Sequence, residues 1–441
     1  MTRAVAKHGL PKVARHGFPK GVPGGEERPT YRAAMAATAL LALVATGGLV
    51  SAKTSTGHRH LLALGSRTPA PPPVAVPTTS ATTTTRARTA SAMARASKTT
   101  VRATTTTVVP IPKVVAVAPK SGAQGVTTGS RIKVLLSGPV RAGAPMPTLT
   151  PPVAGKWSVE GAALTFIPAN GFVPWSKVRV NVPSALAHGR QWSFNVGPPP
   201  VLRFQQLLAE LHYLPLRFVP AAGDPTTGGP ATGTTALDSS PTVASLVPSI
   251  SQIGTFSWRY PGIPTSLTSL WSTGQDNIVT IGAIMHFEDS ANLTADGLVE
   301  PQVWDALTRA VARRAIDPVP YSYIMVSETL PEELVVWQNG RDVYSTPANT
   351  GVPGATTATG TFPVYARFSS TTMVGTDPDG YHYDITGVPW VAYFNGGDAV
   401  HGYWRYSYGY PQSNGCVELP VDNAQAVWAM DPIGTLVTVN S

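Results

Sequence analysis

The chain has 441 residues, 43% of them apolar, with 43 prolines, 41 glycines and one cysteine. That length exceeds one ordinary domain, and a single cysteine excludes both a disulfide framework and a cysteine-rich metal site. The net charge of +9 is uneven: residues 1–113 carry 16 Lys/Arg against 2 Asp/Glu, and the rest of the chain carries 17 against 22. The basic excess therefore belongs to an N-terminal arm, which excludes the folded basic face expected of a nucleic-acid binder.

Residues 1–32 form a basic leader with seven Lys/Arg. Residues 33–52 (AAMAATALLALVATGGLVSA) are 20 consecutive uncharged positions. A helix of that length spans the hydrocarbon core of a bilayer, roughly 30 Å. The flanking charge places residues 1–32 in the cytoplasm and everything after Lys53 outside. Val50-Ser51-Ala52 also resembles a signal-peptidase site, so the segment is either a retained transmembrane anchor or a cleaved signal. The long leader favours the anchor, and both readings export the body. Residues 53–113 contain nine Lys/Arg, no Asp or Glu, and many Thr, Pro and Ala. Such a stretch buries too little apolar surface to order itself and reads as a disordered basic linker. Its charge would pair with anionic wall polymers or simply keep an extended spacer solvated.

Residues 114–197 contain short runs with period-2 alternation, among them SRIKVLLSGPV, KWSVEGAALTFIPA and SKVRVNVP, separated by Gly, Pro and Asn turns. The pattern predicts a β-sandwich, and APKSGAQGV…IKVLLSGPV resembles bacterial Ig-like wall modules. Residues 200–316 open with VLRFQQLLAELHYLPLRF, in which Leu202, Leu207, Leu208 and Leu211 fall on one helical stripe. A Gly/Thr/Ser/Pro-rich stretch follows, and then IGAIMHFEDSANLTADGLVEPQVWDALTRAVARR. Gln206, Leu208, Leu211, Tyr213, Leu214 and Pro215, with Phe287, Asp296, Gly297, Pro301, Trp304 and Leu307, resemble the peptidoglycan-binding type 1 module, a small helical bundle. Its two halves are separated here by an insertion over about residues 220–273. Residues 320–441 read as mostly β. Asn339-Gly340 marks a hairpin, and DNAQAVWAM, bounded by Asp431-Pro432, is the one helix candidate.

The chemistry concentrates at SNGCVELP, residues 413–420. A thiol attacks carbonyls once a base takes its proton, and a tight turn offers backbone N–H groups to an oxyanion. Gly415 allows that turn just before Cys416. His401, at the end of an apolar strand and followed by Gly402, is the best-placed base. The loop GYWRYSYGYPQ between them would fold back to join the two. No other histidine clusters with acids at metal-ligand spacing, and no phosphate loop or dinucleotide motif is present. Neither metal nor cofactor is expected.

TATGTF (357–362), PWVAYFNGG (389–397), VHG (400–402) and SNGCV (413–417) together resemble the L,D-transpeptidase catalytic domain, also called YkuD. The resemblance implies a cysteine acyltransferase forming 3→3 cross-links between peptidoglycan stem tetrapeptides. It implies Cys416 as nucleophile, His401 as base, Ser413 orienting the turn or the substrate, and Gly415 and Cys416 N–H groups facing the oxyanion. Gly402, Tyr403, Trp404 and Tyr383 would line the substrate cleft. Stem peptides are the implied donor and acceptor, and carbapenem-type β-lactams the implied covalent inhibitors. Two positions depart from the family pattern. Asn414 stands where the family has His. Glu418 stands where it commonly has Asn or Arg, which puts a negative charge near the site that would repel a carboxylate or favour an amidated stem. An L,D-carboxypeptidase sharing the same acyl-enzyme, or a wall-binding protein with an inactive third domain, remain the alternatives.

Overall fold

The computed structural model of the protein describes residues 110–222 and 247–441. The expected cytoplasmic leader, the membrane segment, nearly all of the linker and residues 223–246 of the insertion lie outside the described residues. No described helix is long and apolar enough to cross a membrane.

The first unit is built from alternation. In β2 (Ile132–Leu136), Ile132, Val134 and Leu136 are buried and the residues between them are exposed. β6 (Lys177–Val182) repeats the pattern with Val178, Val180 and Val182. β1 (Val114–Ala118), β2, β5 (Ala163–Pro168) and β4 (Gly155–Glu160) make one sheet in the order β1-β2-β5-β4. β3 (Thr148–Thr150), β6 and β7 (Arg190–Asn195) make the other. Their apolar rows meet in one core, where Ile132, Leu164 and Phe166 share a cluster with Val180, Trp192 and Phe194. Each such buried side chain contributes about 1.5–3 kcal/mol.

The second unit begins with α1 (Val201–Glu210), whose Phe204, Leu207 and Leu208 are buried. Part of the expected insertion is regular structure. β8 (Leu216–Pro220) pairs antiparallel with β9 (Gly254–Trp258), opposing Phe218 to Phe256 and Leu216 to Trp258, and α2 (Thr265–Ser269) follows. The aromatic residues of β9 account for this, since Phe256 packs on Phe218 and Trp271. α3 (Ile278–Ser290) is capped by the Asn277 side chain, which accepts from Thr280 N–H. α4 (Pro301–Arg313) starts on Pro301 after the Asp296-Gly297 turn, where Gly297 takes φ +72°.

The third unit has two sheets. β12 (Arg341–Pro347), β11 (Glu333–Gln338), β10 (Ser322–Ser327), β18 (Leu436–Asn440) and β13 (Gly360–Pro363) form one in that order. β14 (Ala366–Thr376), β15 (His382–Asn395), β16 (Asp398–Gly402) and β17 (Val417–Leu419) form the other. β10–β18 and β16–β17 are the parallel pairs. Between the sheets lies a core of Ile324, Val336, Val437, Phe394, Val400, Val417 and Leu419, closed by Ala424 and Val427 of α5 (Val421–Trp428). Asn339-Gly340 joins β11 to β12 with positive φ at both residues, the requirement of a tight hairpin turn.

The boundary expected between the second and third units is a packed interface. Tyr323, Trp337 and Leu436 of the five-stranded sheet belong to the same core as Phe204, Phe287, Trp304 and Leu307. Gly282 on α3 lies so close to Gly434 that an added Cβ would stand 2.5 Å from its carbonyl oxygen. His286 bridges the carbonyl of Ile433 (3.1 Å) and the Asp317 carboxylate (3.0 Å).

Candidate active site

The four-stranded sheet has two unlike faces. Val400, Val417 and Leu419 point into the core between the sheets, while Val388, Val391 and Ala399 gather on the other side with the Cys416 thiol against them. β16 and β17 run parallel with His401 in register with Glu418. Registered neighbours share a face, and so do residues two apart along a strand. Cys416, which leads into β17, therefore stands on the same side as Glu418 and His401. All three line a cavity of about 170 Å³ with Met373, Asp377, Tyr383, Ile385, Val388, Tyr403, Arg405 and Asn414.

The turn before the cysteine is built for glycine. Gly415 takes φ +112°, and an added Cβ would stand 2.7 Å from Asp398 Oδ1. Ser413 is buried, and its hydroxyl is spent inside the turn: it donates to the Cys416 carbonyl (2.5 Å) and accepts from Gly415 N–H (3.2 Å). Of the two expectations for Ser413, the geometry provides for orienting the turn and leaves no hydroxyl proton for a substrate. The Gly415 N–H, expected to face an oxyanion, is committed to Ser413, so an oxyanion would have to compete for it.

Cys416 is partly exposed, and its thiol donates to the Gly397 carbonyl at 3.7 Å. Among the described residues no hydrogen bond joins that thiol to His401. Burial pushes the Cys416 thiol up to about 12; the Ala399 N–H opposes this, and the charges of Asp398 and Glu418 add to it. His401 is buried, and burial holds its imidazole below the usual histidine value, against the Gly402 carbonyl and Glu418, which raise it. Nδ1 lies 3.1 Å from the Gly402 carbonyl oxygen. A carbonyl only accepts, so Nδ1 carries the proton and Nε2 is left as the basic nitrogen. The resting pair is thus a neutral thiol and a neutral imidazole.

The electrostatics at Glu418 differ from the sequence expectation. Its carboxylate does not face the cavity as an uncompensated charge. Arg405 grips it with both prongs, Nε to Oε2 at 2.7 Å and Nη2 to Oε1 at 2.8 Å. The two residues are 13 apart and meet only because the connection after β16 folds back over β17. The aromatic expectations divide. Tyr403 and Tyr383 line the cavity, whereas Trp404 and Tyr406 pack edge to face on each other, largely exposed, and do not line it. Gly402 lies away from the cavity among Pro389, Val421 and Ala424, and serves through its carbonyl. Asn414 is exposed at the cavity rim.

Three further residues, Asp398, Arg405 and Asp377, stand at the site without a motif that announces them. Asp398 accepts from Ala358 N–H (3.2 Å) and the Asn395 amide (3.4 Å) and crowds Gly415, fixing the turn before Cys416 from behind. Its only signal in the sequence is its place at the head of the strand that carries His401. Among the described residues no group of three or more His, Cys, Asp or Glu is placed to hold a metal ion.

A search of curated proteins finds no match. Among solved structures, the chain resembles L,D-transpeptidase 3 from Mycobacterium tuberculosis (13% identity, 75% of this chain and 99% of that one, TM-score 0.26). It also resembles an L,D-transpeptidase from Mycobacterium smegmatis (16%, 76% and 100%, TM-score 0.25). The catalytic domain of an E. faecium L,D-transpeptidase acylated by ertapenem is 24% identical over 28% of this chain and 100% of that one, with a TM-score of 0.25. Residues 321–439, which span β10 to β18 and carry both Cys416 and His401, match the family model of the L,D-transpeptidase catalytic domain, YkuD.

Proposed function

We propose that this protein is a cell-wall L,D-transpeptidase that forms 3→3 peptidoglycan cross-links through a thioester on Cys416. The observation that carries the reading is the sharing of one cavity by the chain's only thiol and a buried imidazole whose Nδ1 is tied to the Gly402 carbonyl. The family match over residues 321–439 supports it.

Nε2 of His401 takes the thiol proton as sulfur attacks the amide carbonyl of the third stem residue. The tetrahedral intermediate collapses with cleavage of the C–N bond, and the terminal D-Ala leaves with the proton from the imidazolium. The side-chain amine of a second stem then attacks the thioester, giving the new amide and restoring the thiol. With both groups neutral at rest, proton transfer accompanies attack and no standing thiolate is required. Met373, Ile385 and Val388 form an apolar wall of the cavity beside the thioester. The ertapenem adduct of the E. faecium domain supports carbapenems as acylating agents of Cys416. The sequence of residues 33–52 supports export with retention at the cell membrane. The residue patterns of 114–197 and 200–316 support Ig-like and peptidoglycan-binding modules that hold the catalytic unit at the wall.

The test is incubation of the full-length protein with a disaccharide-tetrapeptide and, separately, with a carbapenem, read by mass spectrometry. A cross-linked dimer and a carbapenem adduct on Cys416 are expected. Tripeptide without dimer would select the L,D-carboxypeptidase. Absence of both D-Ala release and adduct would overturn the enzyme reading and leave a wall-binding protein.

A further inference from the structure

The Arg405–Glu418 pair is built more firmly than a surface ion pair. Glu418 is buried, and Arg405 is held from several directions. Its Nε and Nη2 grip the two carboxylate oxygens, and Nη2 also donates to the Gln412 carbonyl at 2.9 Å. The guanidinium carbon lies 4.8 Å from the centre of the Tyr403 ring. The Arg405 backbone N–H donates to the Tyr408 hydroxyl (3.0 Å), which in turn donates to the Tyr403 carbonyl (2.6 Å). Nη1 is the one nitrogen of the guanidinium that makes no hydrogen bond to any described residue. The Arg405 side chain is 30% exposed and lines the same cavity as the Cys416 thiol.

We propose that Arg405 is the carboxylate receptor of the cavity beside Cys416, clamped by Glu418 through Nε and Nη2 and offering Nη1 to a carboxylate of the ligand. A guanidinium fixed in advance binds an anion without the entropy cost of ordering a free side chain. Glu418 cancels the long-range charge of Arg405, so selection acts at hydrogen-bonding distance and not by general attraction of anions. The other carboxylate lining the cavity, Asp377, sits at the start of the β14–β15 turn and accepts from Tyr381 N–H at 2.8 Å. It opposes anions and confines the favourable position to the Arg405 end. For a stem-peptide donor, whose terminal residue ends in a carboxylate, the proposal rests on the transpeptidase reading above. The receptor itself does not.

Iodoacetate and iodoacetamide test it directly, because they alkylate a thiol by the same displacement of iodide and differ only in carboxylate against amide. The full-length protein has one thiol, so every adduct reports on Cys416. The ratio of the iodoacetate rate to the iodoacetamide rate is measured for wild type, R405Q and R405K. The ratio is expected to fall about tenfold in R405Q, the usual scale of a hydrogen bond to a charged group. R405K, which keeps charge but loses the fork, should fall between the two. Because the iodoacetamide rate stands in the denominator, any change that the substitution makes to the turn, to His401 or to the reactivity of the thiol divides out of the ratio. A measurement on wild type guards against misfolding of the variants: propionate, and not propionamide, should slow alkylation by iodoacetamide. Equal ratios in all three proteins, or equal effects of propionate and propionamide, would overturn the proposal. D-Ala release from a stem tetrapeptide is read separately. A failed receptor with intact D-Ala release leaves the transpeptidase reading standing, and the reverse result leaves the receptor standing alone.

Discussion

At the scale of single residues, the site works through groups that are kept neutral. The pH dependence follows from the two directions. His401 is held below its ordinary value, so Nε2 becomes available at a pH below the usual histidine range. The thiol does not ionise until about 12. Carbapenem acylation of Cys416 should therefore rise as pH increases through the lowered His401 value and then stay level through pH 8–9. A rate limb centred near the ordinary thiol pKa of about 8.5 would contradict this account. H401A should slow acylation by roughly 10²–10⁴, and C416A should abolish it. Gly415→Ala puts a side chain at φ +112° and against Asp398 Oδ1. We expect it to lower the acylation rate at least tenfold while far-UV circular dichroism stays that of wild type, because the strain is confined to one turn.

At the scale of elements, two helices carry consequences beyond packing. Glu288 on α3 is fully buried, with Oε2 accepting from Gly297 N–H (2.8 Å) and Oε1 left without a partner. Burial pushes its carboxyl up to about 8, with Asp296 and Glu300 adding to the shift and the Gly297 N–H opposing it. A carboxyl whose value is higher folded than unfolded favours the folded state below the unfolded value. It loses that advantage as pH rises through the folded one. Thermal stability should therefore fall between about pH 4.5 and 8 by a few kcal/mol, and E288Q should flatten that slope. The packing of α3 on the loop before β18 is equally exacting. Gly282→Val has no room beside the Gly434 carbonyl and should cost several kcal/mol, read as a lower melting temperature of the whole catalytic unit.

At the scale of the whole molecule, the described units are interlocked. Ser249, within the insertion, ties that segment to the first sandwich, its hydroxyl donating to the Phe172 carbonyl (2.8 Å) and its own carbonyl accepting from Thr128 (3.0 Å). Tyr323, Trp337 and Leu436 share a core with the helical unit. A fragment of residues 320–441 would expose those three side chains to water and is expected to aggregate, whereas residues 200–441 should stay soluble and melt in one transition. A soluble, monomeric 320–441 fragment with native circular dichroism would show that the helical unit is a detachable module.

What the sequence determined by itself was whatever depends on short range. The solitary Cys416 after Gly415, the strand ending in His401, the alternation of β2 and β6, the Asn339-Gly340 hairpin and the leucine stripe of α1 are all readable within a few neighbouring positions. Backbone sterics and the 2.0 and 3.6 residue periods act over that same distance. Tertiary structure alone decided which charges meet and which surfaces are covered. Glu418 looked like an uncompensated anion until the chain folded Arg405 onto it from 13 residues away, and Ser413 looked free to meet a substrate until its turn closed on its hydroxyl. Nothing near the boundary between residues 316 and 320 announced that Gly282 would pack against Gly434. Electrostatic pairing and burial depend on distances through space, and those exist only once the sheets have brought remote segments into register.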